Sequence, residues 1–160
     1  MKGVKGVLIA AALIWLAAGL NMGVAGKIAV LGGNPDFLLI TMGVLGLHSS
    51  RLGGAWLGFF CGFVYGSLAG ANLTQYIISR TIGGFAAGWL NDAGFQGSIG
   101  MAGLSAVIVT LISQLLLMFS APPGDVATFL GDTIRMALYN GILAMPFYAV
   151  LSKILEPQQR

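Results

Sequence analysis

Polar residues divide the chain into six apolar segments, and this pattern predicts six helices. The segments cover residues 6–25, 35–48, 52–70, 74–90, 99–120 and 128–155. A helix needs about 17–25 mostly apolar residues to cross the hydrocarbon core of a bilayer. All segments but the second reach that range. We therefore predict an all-α integral membrane protein, a compact bundle of about six transmembrane helices in which residues 1–160 form a single transmembrane domain.

The second segment is short for a crossing, so a helix that enters and leaves on the same side is the alternative. Cytoplasmic loops are enriched in lysine and arginine, which allows a test. Six crossings place only Lys27 outside and five basic residues inside, namely Lys2, Lys5, Arg51, Lys153 and Arg160. If the second segment does not cross, two of these six basic residues stay inside and four lie outside. The distribution favours six spans in a bacterial cytoplasmic membrane, with both termini in the cytoplasm.

Composition points to the same environment. Hydrophobic residues make up 57% of the chain and charged residues only 8%, whereas soluble domains carry about 25% charged residues. This small number of charged residues cannot cover a surface that faces water. We therefore expect the protein to be surrounded by membrane lipid. The net charge of +3 is scattered along the chain, which argues against a nucleic-acid-binding face because that function needs clustered basic residues.

Glycines recur every fourth position through the third segment. We call this set the glycine ridge, and its members are Gly54, Gly58, Gly62, Gly66 and Gly70. Small residues at this spacing let the backbones of membrane helices approach closely. The ridge winds about 160° around its helix, so either one helix crosses it at an angle or two neighbours share it. We expect internal packing against Gly83, Gly84 and Gly88 of the fourth segment; docking of a partner's transmembrane helix is the alternative.

Four ionisable residues fall at similar depth in the predicted outer half of the membrane: Asp36, Arg80, Asp132 and Arg135. Charged side chains inside a bilayer are costly and usually face protein partners. Two acids and two bases at matching depth suggest a mutually neutralised polar cluster, which would position the second, fourth and sixth helices around a partner. The other interpretation is structural: Arg80 extends to the outer headgroups, and the other three residues are interfacial caps.

Three further residues have expected structural roles. Asn34 is a good helix cap, and Pro35 a good first residue for the second helix. Asn140 lies in the last segment, where its buried amide should bond to a neighbouring helix. Pro146 removes a backbone hydrogen bond, which predicts a bend near residues 143–146.

The residues that carry enzyme chemistry are sparse. His48 is the single histidine and Cys61 the single cysteine, so no metal-ligand spacing is present and Cys61 is expected to be a packed thiol. Ser49 and Ser50 adjoin His48, but Asp36 is predicted at the opposite membrane face, which argues against a hydrolytic triad. We expect no cofactor, no metal and no enzymatic activity.

Three runs of sequence carry a family resemblance. They are NPDFLL at residues 34–39, GFFCGF at 58–63 and RMALYNGILAMP at 135–146. In order and spacing they resemble MreD, the membrane component of the bacterial rod-shape machinery, over about residues 30–155. One departure is at residues 64–67, VYGS, where members of that family often carry an aspartate.

The resemblance implies a non-enzymatic scaffold subunit of the elongation machinery that supports peptidoglycan synthesis and cell shape. It implies binding to MreC, a single-span protein, and a place beside the MreB filament, RodA and its transpeptidase. It also implies a helical architecture similar to the substrate-binding subunits of energy-coupling-factor vitamin transporters. Such a subunit is the alternative function, but the outer loops at residues 71–73 and 121–127 are too short to cover a ligand cavity well.

Overall fold

The computed structural model describes residues 4–29, 32–95 and 98–155, and this part of the chain contains six α-helices. Their bounds are α1 Val4–Gly23, α2 Phe37–Gly46, α3 Arg51–Ala69, α4 Leu73–Asp92, α5 Ile99–Ser120 and α6 Val126–Leu155. A short 3-10 helix, Ala25–Lys27, follows α1. The predicted α5 has the same bounds as the observed helix, and the ends of the others differ by at most two residues.

Four of the described helices, α1, α3, α5 and α6, are long and apolar enough to cross a membrane. The remaining two depart from that pattern in different ways. α2 has only 10 residues, a length of about 15 Å. α4 has 20 residues but carries Ser79 and Arg80 among its buried positions. The chain is thus a helical membrane protein in which one short helix and one polar helix are held among apolar neighbours.

The short helix α2 lies at the centre of the bundle and contacts all five other helices. Residues 38–46 are buried without exception. Such complete burial explains why this segment is apolar on every side, as expected for a helix surrounded by protein. Helix α2 runs from the end of the bundle near Asn21 to the opposite end, where Arg51 and Asp92 form an ion pair.

Side chains that accept backbone hydrogen bonds begin most of the helices. Ser50 caps α3, Ser98 caps α5, and Asp125 accepts bonds from the Ala127 and Thr128 amides at the start of α6. The Thr128 hydroxyl also donates to Asp125, and these bonds, led by the hydroxyl, hold the pKa of Asp125 below its ordinary value. α6 continues as one helix through Pro146.

The start of α2 differs from the sequence prediction. The N-cap is Asp36, not Asn34, and Pro35 lies before the cap, not inside the helix. The reason is the bonding of the Asp36 carboxylate, which accepts hydrogen bonds from the backbone amides of Leu38 and Leu39. Both candidates are good capping residues, and only Asp36 also has a buried cation beside it.

The glycine ridge packs against a single helix, α4. A methyl group at Gly54 would overlap the Gly84 carbonyl oxygen, and one at Gly58 would overlap the carbonyl oxygen of Arg80. At Gly62 the added methyl would lie 2.6 Å from the Tyr76 oxygen. The contacts step by about four residues on both helices, an arrangement in which helices usually cross at about −40° to −50°. One angled neighbour therefore follows the ridge, and no second helix is needed.

Two glycines do not belong to this contact. Gly70 ends α3 in the left-handed conformation, with φ of 68°, and a methyl group there would meet nothing within 4 Å. It is a helix cap, because the chain must turn before α4. Gly83 faces Ser113 of α5 and Met42 of α2, not α3. Gly84 and Gly88 do face α3, where Gly88 approaches the backbone of Ser50 and Arg51.

The ridge gives a direct test. We expect Gly58→Ala to destabilise the protein by about 1–3 kcal/mol, the usual cost of overpacking, because its methyl group meets backbone atoms of α4 that cannot move aside. Thermal unfolding in detergent, followed by loss of the monodisperse protein, measures the effect.

Gly19→Ala is the matched control, since a methyl group there meets nothing within 4 Å. Alanine favours a helix by up to about 1 kcal/mol over glycine, so this variant should be as stable as the parent or slightly more so. Equal stability of the Gly58 and Gly19 variants would contradict the packing described for α3 and α4.

Candidate functional site

Asp36 is the centre of a buried polar network. Its side chain is 4% exposed, and its backbone is extended at the residue that precedes α2. The Oδ1 atom accepts hydrogen bonds from the amides of Leu38 at 3.0 Å and Leu39 at 3.1 Å. The amino end of a helix carries a partial positive charge, which attracts a carboxylate.

Arg80 of α4 is the counter-charge. Its side chain is 3% exposed, and its terminal nitrogens donate to both carboxylate oxygens of Asp36 in a close two-point contact. The guanidinium also lies over the ring of Tyr65 from α3, with 4.0 Å between the guanidinium carbon and the ring centroid. Tyr76 is farther, at 5.9 Å. A desolvated cation over an aromatic ring gains about 2 kcal/mol, so the rings replace part of the lost water.

Two asparagines connect this ion pair to the outer helices. Asn21 of α1 donates from Nδ2 to Asp36 Oδ1 at 3.0 Å and accepts from the Phe37 amide at 2.7 Å. Asn140 of α6 accepts from the Asp36 amide at 2.9 Å and donates to the Thr110 hydroxyl of α5 at 3.0 Å. Asn140 thus bridges three parts of the fold, consistent with its expected interhelical role.

Each of the six described α-helices therefore contributes to the network, α2 through its N-cap Asp36. We use the name polar network for these seven side chains: Asn21, Asp36, Tyr65, Tyr76, Arg80, Thr110 and Asn140. A buried ion pair alone contributes little to stability, because desolvation offsets the attraction. Its value is specific orientation, since a shift or rotation of any one helix leaves a charge or amide unpaired in a low-dielectric interior.

The other two predicted cluster members lie apart from this network. Asp132 and Arg135 form their own ion pair at 3.2 Å within α6, and their side chains are 48% and 54% exposed. No ion pair or hydrogen bond joins them to Asp36 or Arg80 in the described chain. They can pair without other helices because residues three apart share one helix face. Arg80, for its part, is buried and paired with Asp36, so its side chain does not extend to the surface of the bundle.

At the opposite end of the bundle lies a smaller set of polar contacts. Arg51 pairs with Asp92 at 2.7 Å, and the Asn91 amide donates to the Ser49 carbonyl oxygen at 2.9 Å. His48 Nδ1 lies 3.1 Å from the Val44 carbonyl oxygen, and its ring packs on Tyr148. These contacts connect the ends of α3 and α4 and fix the turn after α2.

The charged and amide groups of the network are paired with one another. Asp36 and Arg80 neutralise each other, and both amides are used in both directions. Cys61 is fully buried. Among the described residues, no three histidine, cysteine, aspartate or glutamate side chains come together in a group that could hold a metal ion.

Sequence reasoning did not identify Asn21, Thr110 or the two tyrosines as members. A signal for Asn21 was present, since it is the single uncharged polar side chain in α1. Thr110 and the tyrosines give no such signal, because threonine and tyrosine are common in membrane helices without a buried partner.

The fold and the polar network define a helical membrane protein in which two short or polar helices depend on four apolar ones. No protein-family model, curated protein or solved structure matches the chain.

Removal of one charge tests the network. We expect Arg80→Leu to destabilise the protein by about 3–5 kcal/mol, because Asp36 is left as an uncompensated buried carboxylate. Asp36→Asn combined with Arg80→Leu should recover part of that loss. Thermal unfolding in detergent measures both variants.

Arg135→Leu is the matched control, because the Arg135–Asp132 pair is about half exposed and such pairs contribute about 0–1 kcal/mol. An Arg80 variant as stable as the Arg135 variant, or a double variant less stable than Arg80→Leu alone, would contradict the assigned pairing.

Proposed function

We propose that this protein is a non-enzymatic scaffold subunit of the bacterial cell-elongation machinery, similar to MreD, and that it binds the transmembrane helix of an MreC-like single-span protein. The observation that carries the proposal is the polar network, in which the two charges and the two asparagine amides are engaged with one another and with the backbone and so connect the helices of the bundle. The runs NPDFLL and RMALYNGILAMP support the same proposal. The function that these features support best is that of a rigid platform within the membrane.

The distribution of charge supports a place in the cytoplasmic membrane with both termini inside. The described residues at one end of the bundle include three basic side chains and one acid, namely Lys5, Arg51, Lys153 and Asp92. At the other end, two basic residues balance two acids: Lys27, Arg135, Asp125 and Asp132. The more basic end is expected to face the cytoplasm, which is also the side of the MreB filament.

An open groove between α1 and α3 fits the expected partner. Its volume is about 640 Å³. The residues that line it include the small residues Gly6, Ala10 and Gly53 and the aromatic residues Trp15 and Trp56. Small residues allow a docked helix to approach closely. The α1 side of the groove runs from Gly6 to Trp15, about 14 Å at 1.5 Å per residue. A helix about 10 Å across has a volume of roughly 1,100 Å³ over that length, so the groove would hold somewhat more than half of that volume.

The alternative function is a vitamin-binding subunit of an energy-coupling-factor transporter. Such a subunit needs polar groups that converge on an enclosed ligand. The groove between α1 and α3 and a second groove between α1 and α6 are open and lined almost entirely by apolar side chains, and the Asp36–Arg80 pair is already engaged internally. These features favour a protein partner over a small polar ligand.

The expected topology can be tested by cysteine labelling in intact cells. Cys61 is fully buried, so a membrane-impermeant maleimide should report only introduced cysteines. With six crossings, Lys27→Cys should be labelled from outside, and Phe95→Cys should be labelled only after the membrane is opened. If α2 does not cross, both positions lie outside, so labelling of both in intact cells would contradict the six-span topology.

The partner can be tested by co-purification with a co-expressed MreC-like protein. Ala11→Trp fills the α1–α3 groove and should reduce recovery of the partner at least about tenfold, by loss of roughly 1.4 kcal/mol or more of docking energy.

Ala12→Trp is the matched control, because Ala12 is exposed but does not line the groove. Failure of the parent protein to retain the partner would overturn the scaffold proposal. Equal retention by the Ala11 and Ala12 variants would place the docking surface elsewhere on the bundle.

A further inference from the structure

The net charge of the chain lies entirely in its two terminal segments. Between residues 6 and 152, four basic residues balance four acids, namely Lys27, Arg51, Arg80 and Arg135 against Asp36, Asp92, Asp125 and Asp132. Three of these arginines are in ion pairs with three of the aspartates. The termini hold Lys2, Lys5, Lys153 and Arg160 against Glu156 alone. The excess positive charge of this protein therefore lies before and at the start of α1 and at and after the end of α6.

The same two helices border an apolar groove. It has a volume of about 340 Å³ and is formed by Leu13, Leu16, Ala17 and Leu20 of α1, by Leu143, Pro146, Phe147 and Val150 of α6, and by residues of α2 beneath them. α1 and α6 are thus separated along the groove and rest on α2. This groove is distinct from the one between α1 and α3, because the two have no lining residue in common.

The helical register places two lysines on the faces of α1 and α6 that border this groove. Lys5 lies eleven residues before Leu16, or about three turns, and Lys153 lies seven residues after Pro146, or about two turns. Each lysine therefore shares a helix face with a residue that lines the groove. Both side chains are exposed, and neither makes an ion pair with a described residue.

Both lysines also lie at the same end of the bundle. The start of α1 lies beside the turn after α2, since Gly6 and Ser49 line a common groove. The end of α6 reaches that turn as well, because Tyr148 packs on His48. Toward that end, the groove reaches Leu13 of α1, eight residues after Lys5, and Val150 of α6, three residues before Lys153. An apolar slot that runs toward two lysines has the shape and charge of a phospholipid site.

We propose that an anionic phospholipid of the cytoplasmic leaflet binds between α1 and α6, with one acyl chain in the groove against α2 and its phosphate between Lys5 and Lys153. The choice of leaflet rests on the proposed topology, whereas the site itself is independent of the scaffold role.

The volume of the groove favours a hydrocarbon chain over a helix. The α6 side of the groove, from Leu143 to Val150, is about 10 Å long at 1.5 Å per residue. A helix about 10 Å across would fill roughly 800 Å³ over that length, more than twice the volume of the groove. An extended acyl chain is much thinner and can lie in the slot while its headgroup reaches the interface.

Native mass spectrometry of the detergent-purified protein tests the site. Phosphatidylglycerol and phosphatidylcholine with identical acyl chains are the probes. We expect phosphatidylglycerol to be retained preferentially, and the double variant Lys5→Gln with Lys153→Gln to lose about 10- to 30-fold in its affinity, the effect of two lysines near a lipid phosphate. Lys27→Gln, at the other end of the bundle, is the matched control and should bind as the parent does.

A second pair of variants tests the apolar part of the site. Val150→Trp fills the groove and should lower retention of phosphatidylglycerol at least about fivefold, because the acyl chain loses its place between α1 and α6. Ile142→Trp is the control, since Ile142 is 63% exposed on the same helix and does not line the groove.

Equal retention of the two lipids, or an unchanged affinity in the double lysine variant, would overturn the proposal. Equal effects of the Val150 and Ile142 variants would do so as well. If Val150→Trp releases the single-span partner but leaves phosphatidylglycerol bound, the groove is a helix-docking surface and the lipid assignment is wrong.

Discussion

The ion pair between Asp36 and Arg80 is the interaction on which the rest of this bundle depends. Each charge would be costly in a membrane interior without the other. Neither residue can be satisfied by its own helix alone, because Asp36 precedes α2 and Arg80 lies in α4. The pair therefore requires the two helices to be adjacent, and the asparagines of α1 and α6 then hold the outer helices against them. Hydrophobic burial offers no comparable direction among helices in lipid.

The glycine contact between α3 and α4 serves this pair. Arg80 can reach Asp36 only if α4 approaches the centre of the bundle, and the backbone contact at Gly58 is made to the Arg80 carbonyl oxygen itself. Tyr65 of α3 then lies beside the guanidinium. Close packing and charge compensation are thus two aspects of one arrangement, since a larger side chain at Gly58 would move the residue that neutralises Asp36.

The sequence predicted the helices well, because hydrophobic length and polar breaks are local properties. Residues 99–120 were assigned with the observed bounds, and the four-residue spacing of the glycines indicated a helix-packing face. The cap of α2 was assigned to Asn34 instead of Asp36, because two good capping residues flank one proline and only the tertiary contact with Arg80 distinguishes them. Gly70 continued the spacing of the ridge although the helix had already ended.

Contacts between distant helices were harder to predict. The four charges at similar depth were grouped together, yet depth alone does not determine the direction in which each helix presents its side chains. Asp132 and Arg135 face outward and pair with each other, whereas Arg80 faces inward. Asn21 and Thr110 contribute through the relative rotation of α1 and α5, a property that emerges only when all six helices are packed.

The shortness of α2 and the polarity of α4 have a consequence for biogenesis. During synthesis the chain presents Asp36 to the insertion machinery long before Arg80 has left the ribosome, so the early helices enter the membrane with an unmatched carboxylate. Until α4 is made, the carboxylate can be satisfied only by the Asn21 amide and by the backbone amides at the start of α2. A chain that terminates within α3 would carry that charge permanently, and it would be a natural substrate for the proteases that remove defective membrane proteins.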